Sequence, residues 1–174
     1  MMGTVYTVPP IPPDERHTTW VPAGVLSIGV EHRLLDDAEL AANYGGAQME
    51  EIQANLKGSA VNDNGVSLHV KAVADDHEYL RFDLFEHEPH YHYIEPSGEK
   101  QTIVQFDSVA MGEMLPWALH QLRHRLNEML AFAGGTELSA RVDSEALEAG
   151  LRRVEELARS AQAELAAAGD RDGN

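Results

Sequence analysis

The chain has 174 residues, 43% of them hydrophobic, and its 29 acidic against 13 basic side chains leave a formal net charge of −16. That length suits one domain with a real core, and the charge excludes the basic footprint of nucleic-acid binding and disfavours anionic membrane surfaces. Cysteine is absent, which excludes disulfides and thiolate metal sites; with no apolar run near the roughly 18 residues of a membrane span and no charged-then-apolar leader, a soluble cytoplasmic protein is expected.

The opening MMGTVYTVPPIPPDERHTTW carries Pro9, Pro10, Pro12 and Pro13. Proline fixes φ and removes a donor, so residues 1–22 read as an extended arm without a core of its own. Val5, Tyr6, Val8, Ile11 and Trp20 suit that arm to docking on a neighbouring surface; a frayed tail is the alternative. Residues 23–167 read as a single α+β domain and residues 168–174 as a disordered polar tail. In AGVLSIGVEHRL, Leu26, Ile28 and Val30 alternate with Ser27, Gly29 and Glu31, the period of a strand. DDAELAANY reads as a short helix capped by Asp36 or Asp37 and stopped by Gly45-Gly46. AQMEEIQANLKG reads as another, with Met49, Ile52 and Leu56 on one face and Gly58 at the left-handed cap.

Four strands follow. GVSLHVKAV and EYLRFDLFE alternate apolar with polar residues, and HYHYI and QTIVQF are joined by EPSGEK, a turn containing Pro96 and Gly98. Short connections between consecutive strands imply an antiparallel meander. Two helices close the chain. One runs from about Pro116 to Phe132 with a stripe of Leu115, Leu119, Leu122, Leu126 and Met129. The other runs from Asp143 or Ser144 to about Ala167, and its stripe of Leu147, Leu151, Val154, Ala158, Ala161 and Leu165 has the spacing of a coiled-coil seam. The expected fold is an antiparallel sheet of four to five strands with these two helices packed on one face.

The stretch EHEPHYHYIEP, residues 86–96, holds three histidines, two tyrosines and three glutamates. Side chains alternate across a strand, so His90 and His92 share one face while Tyr91 and Tyr93 share the other. If EPSGEK closes a hairpin with Ile94 opposite Gln101, then His90 faces Gln105, Tyr91 faces Val104 and His92 faces Ile103. A three-residue loop Asp75-Asp76-His77 would set Val70 opposite Phe82, Leu68 opposite Leu84, His69 opposite Asp83 and Lys71 opposite Arg81. One sheet face is then apolar, and the other carries His69, Asp83, His90, His92 and Gln105.

Three readings of that polar face compete. Neutral imidazoles two residues apart on a strand can point at one divalent metal, with His69, Asp83 or Glu88 completing the set; the parity of Glu95 sends it to the opposite face. Alternatively the face is a buried interface with a second copy of the chain. In the third reading it is solvated. His120 and His124 stack at helical i,i+4 spacing on a face opposite the leucine stripe, together with Trp117, and read as a solvated flank. No phosphate-cradling glycine loop and no G-x-S-x-G elbow is present.

PHYHYI, followed by WALHQLRHRLNEMLAFAG, resembles a bacterial family of domains with no assigned function, over residues 65–134. The resemblance rests on EYLRFD, the histidine–tyrosine strand and a helix carrying Trp117, Leu122, Arg125, Leu126, Met129 and Leu130. It implies a shared fold and no activity. The residues themselves point to a non-catalytic accessory subunit of a larger enzyme, or a binding module. Self-association, as a dimer, is expected through the C-terminal helix, the sheet face or the N-terminal arm. No cofactor is expected, a divalent metal being the open exception. The alternative is a metal-dependent enzyme using His90 and His92, with His69 and Asp83 as further ligands or acid–base groups.

Overall fold

The alternating segments fold as strands and the striped ones as helices. The computed structural model describes residues 2–56 and 60–172. In chain order the elements are β1 (Thr4–Tyr6), β2 (Thr18–Ala23), β3 (Leu26–Asp36), α1 (Asp37–Asn43), α2 (Gly46–Leu56), β4 (Asn62–Ala72), β5 (Glu78–Phe85), β6 (His90–Ile94), β7 (Gln101–Gln105), α3 (Ser108–Met111), α4 (Met114–His124), α5 (Leu126–Phe132), α6 (Thr136–Ser139) and α7 (Ser144–Asp172). The strands form one antiparallel sheet in the order β1-β7-β6-β5-β4-β3-β2.

The α+β class and the antiparallel sheet are as expected, but the sheet has seven strands rather than four or five. The two additional strands come from the arm. β1 is three residues long and β2 contains Pro22, so neither carries an alternation that could be read. They form the two edges of the sheet, where short or proline-containing strands are tolerated.

Asp36 caps α1 by accepting from the Glu39 N–H at 2.8 Å. The Gly58 cap expected for α2 lies outside the described residues. The helix expected over 116–132 is two helices, parted at Arg125, whose φ of −130° is not helical. α7 continues to Asp172, past the expected stop near Ala167.

α4, α5 and α7 lie on one face of the sheet. Leu119, Leu122, Leu130, Leu151 and Val154 are fully buried there against Leu68, Leu80, Phe82 and their neighbours. The α7 stripe is therefore spent inside its own chain, and the seam expected for a partner helix is not free. The opposite face carries a smaller core in which Val8 and Ile11 of the arm meet Leu40 of α1 and Ile52 of α2. The arm is docked rather than frayed: the Tyr44 hydroxyl donates to the Pro9 carbonyl at 2.6 Å, and the Thr7 N–H donates to Glu51 at 2.6 Å.

Candidate metal centre

The hairpin of β6 and β7 has the expected register, with His90 opposite Gln105, Tyr91 opposite Val104 and His92 opposite Ile103. Tyr91 and Tyr93 turn toward the helices, where Tyr91 lies 5.1 Å from the Trp117 ring and Tyr93 4.6 Å from Phe132. Trp117 thus belongs to the helix–sheet layer rather than to a solvated flank, whereas His120 and His124 are exposed, their rings 4.5 Å apart.

The hairpin of β4 and β5 is displaced by two residues from expectation. Leu68 faces Phe82, Val66 faces Leu84, and Ser67 rather than His69 faces Asp83, while His69 faces Arg81. A shift of two preserves every face, so the polar residues stay together but their partners change. The turn falls earlier than expected, with the Ala72 N–H donating to the His77 carbonyl at 2.9 Å, and one residue of that displacement is taken back by an irregularity beside Val70 and Lys71, where Leu80 pairs with Val70 and Glu78 with Lys71, leaving Tyr79 over. Such a bulge re-aims side chains: Tyr79 joins the apolar core, and Glu78 turns to the same face as Arg81.

On that face β5 and β6 set Asp83 opposite His90, with His92 one pair along opposite Arg81. Asp83 Oδ2 lies 2.9 Å from His92 Nε2 and 3.3 Å from His90 Nε2, and its Oδ1 accepts from the Ser67 hydroxyl. Ligand atoms of Asp83, His90 and His92 fall within 4.8 Å of one another. Ions that bind nitrogen and oxygen at about 2.0–2.1 Å need donors about 2.9 Å apart at right angles and about 3.4 Å apart at tetrahedral angles. The two separations from Asp83 Oδ2 fall within that range.

The far side of each imidazole is anchored. His90 Nδ1 donates to the Glu88 carbonyl at 2.7 Å. His92 Nδ1 lies 2.7 Å from Gln101 Oε1, and the Gln101 amide is oriented by donating its N–H to the Val8 carbonyl at 3.2 Å. Hydrogen on both Nδ1 atoms leaves both Nε2 atoms to face Asp83, the outer arrangement that accompanies metal-ligating histidines. Glu88 contributes its backbone and not its carboxylate. Its own N–H, with that of His87, is held by the buried Asp63 carboxylate. Burial opposes charge throughout, yet the two imidazoles beside it hold Asp83 well below the usual carboxylate range. Burial likewise opposes charge on His90, but the neighbouring Asp83 carboxylate raises its pKa; for His92 burial prevails and lowers it.

His69 does not join this group. Its Nδ1 lies 2.6 Å from Glu78 and its Nε2 2.8 Å from Glu31, so the ring is an imidazolium clamped between two carboxylates. Arg33 pairs with Glu31 at 2.9 Å and Arg81 with Glu78 at 2.7 Å. Trp20 folds over Gly29 beside this cluster, 6.1 Å from the His69 ring, and Lys71 Nζ sits 4.4 Å above the indole. Three carboxylates, Glu31, Glu78 and Asp83, thus stand against three cations, Arg33, Arg81 and His69.

The polar face is neither solvated nor bare. Arg81 and Arg33 both donate to the Ile11 carbonyl, at 2.8 and 3.3 Å, and the Asp14 N–H donates to Glu31 at 2.8 Å. The arm crosses the face and seals it. Side-chain exposure is 4% for Asp83, 6% for His92 and 12% for His90. Two clefts lie elsewhere. One of about 580 Å³ is bounded by Phe85, Pro89, Phe106 and Met114; one of about 220 Å³ is bounded by Tyr91, Tyr93, Trp117 and Phe132. Neither is lined by Asp83, His90 or His92.

Glu31 and Glu78 were missed as members of this face. Glu31 was readable, because the alternation of β3 puts it on the side opposite Leu26, Ile28 and Val30; Glu78 was not, because the bulge inverts its parity.

Residues 20–158 match the family described as "Domain of unknown function (DUF7700)". The match extends beyond 65–134 on both sides and takes in β2, β3 and much of α7. No curated protein and no solved structure matches the chain. Among the described residues no helix is long and apolar enough to cross a membrane.

Proposed function

We propose that this chain, which belongs to the DUF7700 family, is a metal-binding module in which Asp83, His90 and His92 hold one divalent cation. One observation carries the reading: three ligand atoms converge within 4.8 Å while both distal ring nitrogens are anchored by carbonyl oxygens. A two-histidine, one-carboxylate set suits zinc, iron(II) and related ions. The burial of the group and its roof of arm favour a structural ion and a non-catalytic role, as an accessory or binding protein. The strong acidity of the chain suits a basic partner surface.

Metal analysis of protein purified without an affinity tag tests this. One equivalent of divalent ion is expected, and loss of it in the His90→Ala, His92→Ala double variant. A His69→Gln variant keeps the ion, because His69 serves the neighbouring charge cluster. A metal-free native protein that takes up no added zinc would sink the proposal.

A metal-dependent enzyme is the second reading, and the partial exposure of His90 supports it, since an open position there would hold water. Cobalt(II) substitution separates the two. A visible spectrum that shifts on adding azide reports an open position and favours the enzyme, whereas an unmoved spectrum reports a closed structural site.

A further inference from the structure

We infer that Gln101 is a positioning residue that couples the N-terminal arm to the metal centre, so that ion binding and arm docking strengthen one another. The inference rests on the metal reading above. Gln101 is 3% exposed and has two partners, one on each side of the coupling. Its Oε1 accepts from His92 Nδ1 at 2.7 Å, and its Nε2 donates to the Val8 carbonyl at 3.2 Å. An amide presents its acceptor to one side only while its donor is satisfied on the other. With the arm docked, Val8 takes the N–H and the oxygen faces His92. The His92 hydrogen is then held on Nδ1 and Nε2 is bare toward Asp83, the tautomer an ion requires.

With the arm released, Gln101 loses the partner that fixes its orientation, and the ring loses the constraint on its tautomer. The same arm carries the Ile11 carbonyl that accepts from Arg33 and Arg81. Undocking therefore uncovers both halves of the polar face together. Val8 itself is buried, 1% exposed, so the link runs through a packed contact rather than a mobile one. Partners that orient a ligating imidazole are worth about 10–100-fold in metal affinity. Reciprocity requires that the factor by which docking raises affinity equals the factor by which the ion suppresses undocking.

Two substitutions divide the two halves of the device. Gln101→Glu keeps an oxygen for His92 Nδ1 but has no N–H for Val8. Gln101→Leu has neither. The experiment is amide hydrogen exchange over residues 4–14 of the full chain, with and without saturating zinc, alongside zinc affinity by competition with a chelator. In the native protein zinc slows arm exchange about 10–100-fold, more than it slows α7. Gln101→Glu retains native zinc affinity, but zinc no longer slows its arm. Gln101→Leu binds zinc about 10–100-fold more weakly, and the ¹⁵N signature of its metal-free His92 shows a mixture of tautomers. Zinc uptake with unchanged arm exchange in the native protein overturns the coupling alone, as does zinc-slowed exchange in Gln101→Glu. Absence of zinc uptake by the native protein removes the metal reading and the coupling with it.

Discussion

His69 holds its proton between two carboxylates, Glu78 at 2.6 Å and Glu31 at 2.8 Å. Burial opposes that charge, but the neighbouring glutamates outweigh it and raise the pKa above the ordinary imidazole value of about 6.5. A raised folded-state pKa gives stability that is fully present below about 6.5 and is lost as pH rises through the folded value. The carboxylates run the other way. Glu31, Glu78 and Asp83 are held below their ordinary values, so their contribution is present above about 4 and is lost as pH falls through the folded values. In metal-free protein the contributions of these four groups therefore overlap between about pH 5 and pH 6.5. His69→Gln is expected to cost about 3–5 kcal/mol at pH 6, because it breaks a buried charge network. It should also flatten the decline toward pH 9. Urea midpoints across that range check both; parallel profiles for the native and variant proteins would refute the assignment. At this scale the sequence was largely legible. The parity of HYHY and the grouping of His90, His92 and Asp83 follow from alternation alone. The Gln101–Val8 and Arg81–Ile11 contacts were not legible, since they join residues 93 and 70 positions apart and leave no local trace.

Gly150 sits within α7, where alanine would ordinarily gain about 1 kcal/mol of helix propensity. A Cβ there would stand 2.8 Å from the Pro22 carbonyl oxygen and 2.9 Å from the Ala23 Cβ. Neither can swing aside, so the helix would have to lift from β2. Gly150→Ala is expected to be destabilising by about 1–3 kcal/mol, a fall in Tm of roughly 3–10 °C for a chain of this size. Thermal melting checks this, and a raised Tm would show that the close approach is not limiting. Element types were readable because each rests on a strong period: Leu26, Ile28 and Val30 for a strand, and the leucines of α4 and α7 for helices. The break at Arg125 and the bulge at Tyr79 were not readable, since no glycine or proline marks either position. The β6–β7 register came out because a six-residue turn, Glu95–Lys100, fixes it; the β4–β5 register slipped by two because the turn is closed by Ala72 and His77 rather than centred on Asp76, and the bulge recovers only one residue of the difference.

For the molecule as a whole, both faces of the sheet are covered by the chain itself, the apolar face by helices and the polar face by the arm with α1 and α2. The α7 stripe looked like a seam for a partner because heptad spacing alone does not say what it packs on; here it packs on β2, β3 and β4. Leu151 is fully buried in that layer. Leu151→Asp would place a carboxylate in an apolar core, a cost comparable with the whole stability of a domain of this kind, about 5–15 kcal/mol. The expected outcome is an unfolded or insoluble protein, read by circular dichroism. A folded variant of smaller sedimentation coefficient than the native protein would instead mean that α7 serves an interface.

The two margins of the sheet carry a consequence of their own. One ends in a three-residue strand and the other in a strand interrupted by Pro22. A neighbouring chain seeking to add its own strand finds too short a ladder at one flank and a missing donor at the other. Lateral growth of sheet upon sheet is thus closed to the folded protein, and concentrated solutions should stay free of fibrils for as long as the fold holds.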